Sequence, residues 1–191
     1  IIVVLAVALV GSALYLGSYF WEGKKSEDEY DKLRQDTLAS TPATTEASND
    51  TTEDYVPDPK ELEEPEETFP LNRDYKAFYE KNNNKDFVGW LRIDGTKLNY
   101  PVMQTPDRPN YYLDHNLNGV SSAWGAIYAR EECDINKPSD NITLYGHHMR
   151  DGSMFACLDT YKYKKTWDNN PLIFFDTLHG YHVYKIFAVF T

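Results

Sequence analysis

Residues Ile1 to Phe20 form a nearly unbroken apolar run, interrupted only by Gly11, Ser12, Gly17 and Ser18. A helix of about 20 residues rises about 30 Å, the thickness of a bilayer's hydrocarbon core. A run apolar on every side has no face to offer water, so it predicts a membrane-spanning anchor over residues 1–21 rather than the core helix of a soluble domain. A cleaved signal peptide is the alternative, but its apolar centre is usually shorter and no small-x-small site closes this run. Lys24 and Lys25 follow the span. Orientation by charge compares both flanks, and the chain opens Ile1-Ile2 with no Met, so one flank is expected to be missing and charge leaves the orientation open.

The net charge of −11 is unevenly placed. Residues Ser26 to Pro70 hold 15 acidic and 3 basic side chains, whereas Leu71 to Thr191 hold 14 of each. The acidity therefore belongs to one segment and not to a folded surface, and no basic patch offers itself to nucleic acid. That segment is rich in Glu, Asp, Thr, Ser and Pro and poor in large apolar residues, which predicts a disordered, self-repelling linker over residues 22–70. An acidic interaction tail is the other reading.

From Leu71 the composition becomes that of a folded, aromatic-rich domain. "LNRDYKAFYEKN" predicts a short helix with Tyr75, Phe78 and Tyr79 on one face. "DFVGWLRID" and "KLNYPVMQ" read as strands joined through Asp94-Gly95, followed by "AWGAIYAR", "NITLYG", "PLIFFD" and "GYHVYKIFAVF". Between the later pairs, "SMFACLDTYKY" places Met154, Phe155, Leu158 and Tyr161 on one helical face. These elements predict a mainly antiparallel β domain or barrel with short helical insertions over residues 71–191. The last strand pattern runs into the C-terminus, so the barrel is expected to be incomplete and to expose an unpaired edge.

The stretch "NITLYGHHMRDGSMFACLDTY" carries the most chemistry. With Asn141 to Tyr145 as a strand, Ile142 and Leu144 face the core while Thr143, Tyr145 and, if the strand continues, His147 face the other way. An imidazole at a strand end, beside a glycine and an aromatic wall, suits a surface groove. A histidine merely satisfied in a loop is the plainer alternative. Cys157 sits at the edge of an apolar helical face and reads as a small buried hydrophobe. Cys133, within "REECD", lies among acids that oppose thiolate formation. A disulfide between the two is conceivable outside the cell. The histidines show no HExxH or CxxC spacing, and no metal or cofactor is called for.

"YGHHM" followed by "DGSMF" resembles the histidine segment of class B sortases, and "DFVGWLRIDGTKLNYPVMQ", "YYLDHN" and "WGAIYA" are similar to that family's opening strands. The likeness covers roughly Asp86 to Thr191, in the family's order. It implies a sortase-type closed β-barrel, here incomplete, behind a transmembrane helix and a disordered linker. It implies a cysteine transpeptidase, single-pass in the cell membrane of a Gram-positive bacterium with its globular domain extracytoplasmic. Such enzymes cleave a C-terminal sorting signal of secreted proteins, hold the acyl end as a thioester, and pass it to a peptidoglycan or pilin amine. The partners implied are that peptide, that amine and membrane lipid around residues 1–21. His147 matches the family's functional histidine, and Tyr145 and Leu113 are candidate walls of the peptide groove, Leu113 being equally suited to a core. The family's cysteine follows a Thr-Leu-x-Thr-type strand, with its arginine beyond; neither motif follows His147 here, so the chain by itself is expected to be inactive. A sortase-like module that binds a peptide without catalysis is the alternative.

Overall fold

The computed structural model describes residues 2–39, 84–135, 137 and 141–190. A long helix, α1 (Ile2–Ala39), precedes six strands: β1 (Phe87–Arg92), β2 (Asn99–Met103), β3 (Ile127–Ala129), β4 (Leu144–Tyr145), β5 (Leu172–Thr177) and β6 (Tyr181–Lys185). Two 3-10 helices, Tyr111–Leu113 and Phe155–Lys162, and the short α2 (Lys164–Asn169) occupy the connections. The strands form one curled sheet in the order β4-β3-β2-β1-β5-β6. It is a mainly-β half-barrel, as the strand patterns predict. The expected helix carrying Tyr75, Phe78 and Tyr79 lies outside the described residues.

Local chemistry explains the pairing. β1 and β2 are antiparallel, and the turn between them holds Gly95 at φ 75°, a left-handed conformation glycine adopts without strain. β5 pairs with the other side of β1 and turns back into β6. β2 and β3 are parallel, so residues 104–126 form a crossover instead of a hairpin. The sequence pattern, which predicts a mainly antiparallel sheet, does not register this pair. β2 is buried from Tyr100 through Met103 without period-2 alternation, the mark of a strand covered on both faces. Trp90, Tyr100, Val102, Ile127 and Phe175 form the centre of the core. Truncating an aromatic there to alanine would cost about 3–5 kcal/mol.

One cover of β2 is α1, and this corrects the expected linker boundary. Composition predicts residues 22–39 to be part of the disordered linker, yet the helix continues through them and packs on the domain. Tyr30 is 3% exposed and meets the Tyr100 ring edge-on at 5.0 Å. The Arg34 guanidinium lies 4.8 Å from the centre of the same ring and donates to the Asn99 carbonyl at 2.9 Å. Gly23 fits against Trp124 so closely that a Cβ would stand 2.5 Å from the indole. Within residues 22–39 the interface supplies partners for three of the acids. Arg34 binds both Glu27 and Asp31, and Glu29 accepts from the Asn118 amide. Composition counts charges, but it does not count the partners a fold supplies.

The first half of α1 behaves differently. From Val3 to Ser18 every side chain is exposed, apolar all round, and the helix contains an 18-residue window of mean hydropathy 2.0 with none of it buried. It is long and apolar enough to cross a membrane.

Candidate functional site

The candidate histidine sits on a loop that the fold closes at both ends. β4 ends at Tyr145, and Gly146 follows with the Phe155 ring against it, where a Cβ would meet the ring at 3.0 Å. The His147 carbonyl accepts the Phe155 N–H at 2.9 Å, and His148 and Met154 form an isolated antiparallel bridge. Residues 147–155 are therefore a pinched loop whose tip is held from within. The Asp151 carboxylate accepts the Ser153 N–H at 2.9 Å and its hydroxyl at 2.6 Å, and the Trp124 indole points to its other oxygen at 3.4 Å. Burial pushes this carboxyl up, but the Ser153 and Trp124 hydrogen bonds outweigh it and hold Asp151 below the usual carboxylate range. Met154, at φ 53°, donates its N–H to the Tyr100 hydroxyl at 3.2 Å. Burial raises the Tyr100 phenol to about 12, so it stays protonated and able to point its hydrogen toward Glu27, 3.5 Å away. One buried hydroxyl thus ties the histidine loop to the central strand and to α1.

His147 itself is half-buried. Its Nδ1 is inaccessible and has no hydrogen-bond partner among the described residues. A buried ring nitrogen without a partner is costly to maintain and marks a site whose remaining groups are worth seeking. His148, by contrast, is exposed and shares a 2.9 Å contact with Asp159, whose hydrogen bond raises its pKa. The two neighbours in sequence have different surroundings, although the strand stops at Tyr145 and does not reach either of them.

β4 itself covers only Leu144–Tyr145, and Ile142 precedes it. Ile142 and Leu144 line an apolar groove of about 660 Å³ with Phe155, Leu158 and Phe175. Tyr145 stands on the other face, 39% exposed, its ring 5.4 Å from that of Tyr128. The Tyr128 hydroxyl reaches the Asn110 amide oxygen at 3.0 Å, at the start of the 3-10 helix that carries Leu113. Leu113 is 48% exposed, which fits a surface wall better than a core position. Gly125, at φ 57°, lets that helix approach β3, since a Cβ there would lie 2.5 Å from the Tyr112 carbonyl oxygen. Tyr145 and the Leu113 helix are linked in this way through Tyr128; His147 follows Tyr145 by two residues.

Neither cysteine completes the site. Both are free thiols. Cys157 is buried and its Sγ points to the Met154 carbonyl at 3.1 Å; burial pushes its pKa up to about 11. Cys133 Sγ accepts the Thr143 N–H at 3.3 Å on the far side of β4 from the loop tip. The 3-10 turn also explains the helical face read from sequence. Its three-residue period brings Phe155, Leu158 and Tyr161 to one side, where all three line the groove. Among the described residues, no group of three or more His, Cys, Asp or Glu side chains gathers as metal ligands would.

These features can be compared with known proteins. Residues of this chain are 40% identical over 109 positions to sortase B of Listeria monocytogenes, and 32% identical over 107 positions to sortase B of Staphylococcus aureus. Each match takes in 56% of this chain and 43% of the relative. The chain is related to the class B sortases. The crystal structure of sortase B from Bacillus anthracis in complex with AAEK1 superimposes with a TM-score of 0.66, at 24% identity, over 90% of this chain and 69% of that one. The half-barrel therefore has the fold of a solved sortase. No family model matches the chain. The chain spans less than half the length of the two curated sortases it matches.

The residues that hold the 147–155 loop are only partly marked in the sequence. Asp151-Gly152-Ser153 is an Asx-turn pattern visible in the sequence. Tyr100 and Trp124 carry no such signal, because their partners lie far along the chain.

Proposed function

We propose that this chain contributes the histidine half of a sortase-type cysteine transpeptidase acting at the surface of a Gram-positive cell membrane. The observation that carries the reading is His147, whose buried, unpartnered ring nitrogen sits on a loop fixed at both ends, in a chain related to sortase B. In this reading His147 transfers protons: as an imidazolium it protonates the departing amine, and as an imidazole it takes the proton of the incoming amine. The thiolate that forms the thioester and the cation that steadies the oxyanion come from the part of the sortase length this chain does not span. Tyr145 and Leu113 form part of the wall against which a sorting-signal peptide lies. The acceptor is a peptidoglycan or pilin amine. The domain plan is an anchor over residues 1–21, a tether, and the sortase-like domain from residue 71, with the tether starting after the docked part of α1.

The test uses a polypeptide that includes this chain and the remaining sortase length, with sorting-signal peptides as substrate. An acyl-enzyme that hydroxylamine releases is expected by mass spectrometry. His147→Ala is expected to lower turnover by at least about a hundredfold, the usual scale of general acid–base catalysis. Near-normal turnover by that variant would remove His147 from the mechanism.

A second reading has its own support. The buried thiol of Cys157 and the placement of Cys133 leave this chain without a competent nucleophile. Under that reading the domain binds peptides without cutting them. Saturable binding of a sorting peptide by this chain alone, with no covalent adduct from the longer polypeptide, would favour it.

A further inference from the structure

A second open space, apart from the groove lined by Leu144 and Phe155, lies beside the helix. It is a cleft of about 1110 Å³ between α1 and the domain. One wall is the end of the apolar run, with Tyr15, Leu16, Tyr19 and Phe20; the opposite wall carries Trp124, Lys97 and Arg150, and Lys24 stands on the helix just past the apolar run. Tyr19 and Trp124 touch across it, with ring centres 4.7 Å apart, and Trp21 continues the aromatic belt beneath Lys25. Aromatic residues gathered at the end of an apolar helix mark the level of the membrane–water boundary.

The charges in this cleft are not balanced among themselves. Glu27 and Asp31 are both bound by Arg34, and Asp151 is committed to Ser153 and Trp124. Lys24, Lys97 and Arg150 have no ion-pair partner among the described residues. The lining carries four cations, Lys24, Arg34, Lys97 and Arg150, against three carboxylates, Glu27, Asp31 and Asp151. An occupant that offers one anionic group to Lys24, Lys97 and Arg150 and hydrocarbon to Tyr15, Leu16 and Phe20 therefore completes both the charge and the apolar wall. A soluble anion completes only the charge. We infer that the cleft seats the headgroup of an anionic phospholipid, so that the domain is held down on the bilayer that α1 crosses.

The inference rests on α1 spanning a membrane and extends that reading. A phosphodiester at this height sits between Lys24 on the helix and Lys97 and Arg150 on the domain, bridging the two bodies. The consequence reaches the candidate site, because Arg150 belongs to the same pinched loop as His147. The histidine then operates at the membrane surface, and lipid charge steadies the loop that carries it.

The experiment reconstitutes the full chain into nanodiscs of phosphatidylcholine, with and without phosphatidylglycerol, and follows hydrogen exchange at residues 94–98 and 149–153. Phosphatidylglycerol is expected to slow exchange at both segments. Each cation near an anionic surface strengthens association about fivefold, so Lys97→Gln with Arg150→Gln is expected to reduce the docking equilibrium constant on the order of 25-fold. Lys97→Arg with Arg150→Lys should keep the protection, and exchange in β1 and β5 serves as the control for intact folding. Equal exchange in both lipids, with the chain embedded, would overturn the headgroup site and leave the membrane span standing. Protection by inorganic phosphate alone in neutral discs would also overturn it, by assigning the cleft to a soluble anion. A chain that fails to embed in either disc would overturn the span and the headgroup site together.

Discussion

At the residue scale, the position of the candidate histidine depends on groups that do not touch it. Tyr100 is the clearest, since its hydroxyl takes the Met154 N–H inside the core and faces Glu27 of α1. Tyr100→Phe keeps the ring and strands that N–H, so a loss of about 1–3 kcal/mol is expected in denaturant melts. Faster hydrogen exchange at residues 147–155 should accompany it. Two ionisable groups add a pH dependence of opposite sign. Asp151 has a lowered pKa, so its stabilising contribution is present above the ordinary value of 3.8 and is lost as pH falls through the lowered folded value. His148 has a raised pKa through Asp159, so its contribution is full below 6.5 and is lost as pH rises through the raised folded value. Exchange in the loop is therefore expected to be slowest, after correction for intrinsic rates, between these limits. Asp151→Asn should abolish the acid-side change and His148→Gln the alkaline-side change. The sequence places His147 two residues past Tyr145, but β4 ends at Tyr145, so alternation along the strand does not fix the histidine's surroundings. Its supporting residues were not legible there either, because Tyr100 and Trp124 come from segments far from residue 147 along the chain.

At the scale of elements, α1 is one helix with two environments. Its first half is exposed and apolar, while its second half is amphiphilic and docked. Gly23 offers a test in which intrinsic propensity and packing predict opposite signs. In an isolated helix Gly→Ala is favourable by about 1 kcal/mol. Here the added Cβ would stand 2.5 Å from the Trp124 ring, so Gly23→Ala is expected to weaken docking despite the better helix former. A rise in helix content with a red-shifted Trp124 emission, read in a variant retaining only that tryptophan, would report undocking; an unchanged emission would mean the indole moves aside without loss. Tyr30→Ala removes the most buried aromatic of the helix and is expected to cost about 3–5 kcal/mol of docking and folding stability in denaturant melts.

At the scale of the whole molecule, the half-barrel has open boundaries. Among the described residues β4 and β6 each pair on one side only, and the groove between them is lined by Leu91, Leu144, Phe155 and Ile173. Beside it, Phe187 and Phe190 are 92% and 90% exposed. Unpaired strand edges beside apolar surface favour self-association. This chain in detergent-free nanodiscs is expected to bind a hydrophobic dye and to cluster with rising concentration. Phe187→Lys should lower both responses without altering the thermal midpoint, since that side chain buries almost nothing in this fold. Unchanged clustering would place the association elsewhere.

The sequence by itself determined the local units. Short runs rich in aromatic and β-branched residues, bounded by turn residues, specified the strands around Trp90, Tyr100 and Phe174, Asp94-Gly95 specified the turn, and the unbroken apolar run specified an N-terminal helix with no solvated face. Those signals are short-range, and neighbouring residues suffice to produce them. Tertiary structure decided the parallel join of β2 to β3, the continuation of α1 through residues 22–39 as a docked helix, and the anchoring of the His147 loop on Tyr100 and Trp124. Each of these depends on a partner distant along the chain, where burial and hydrogen bonding can reverse what local charge and propensity prefer.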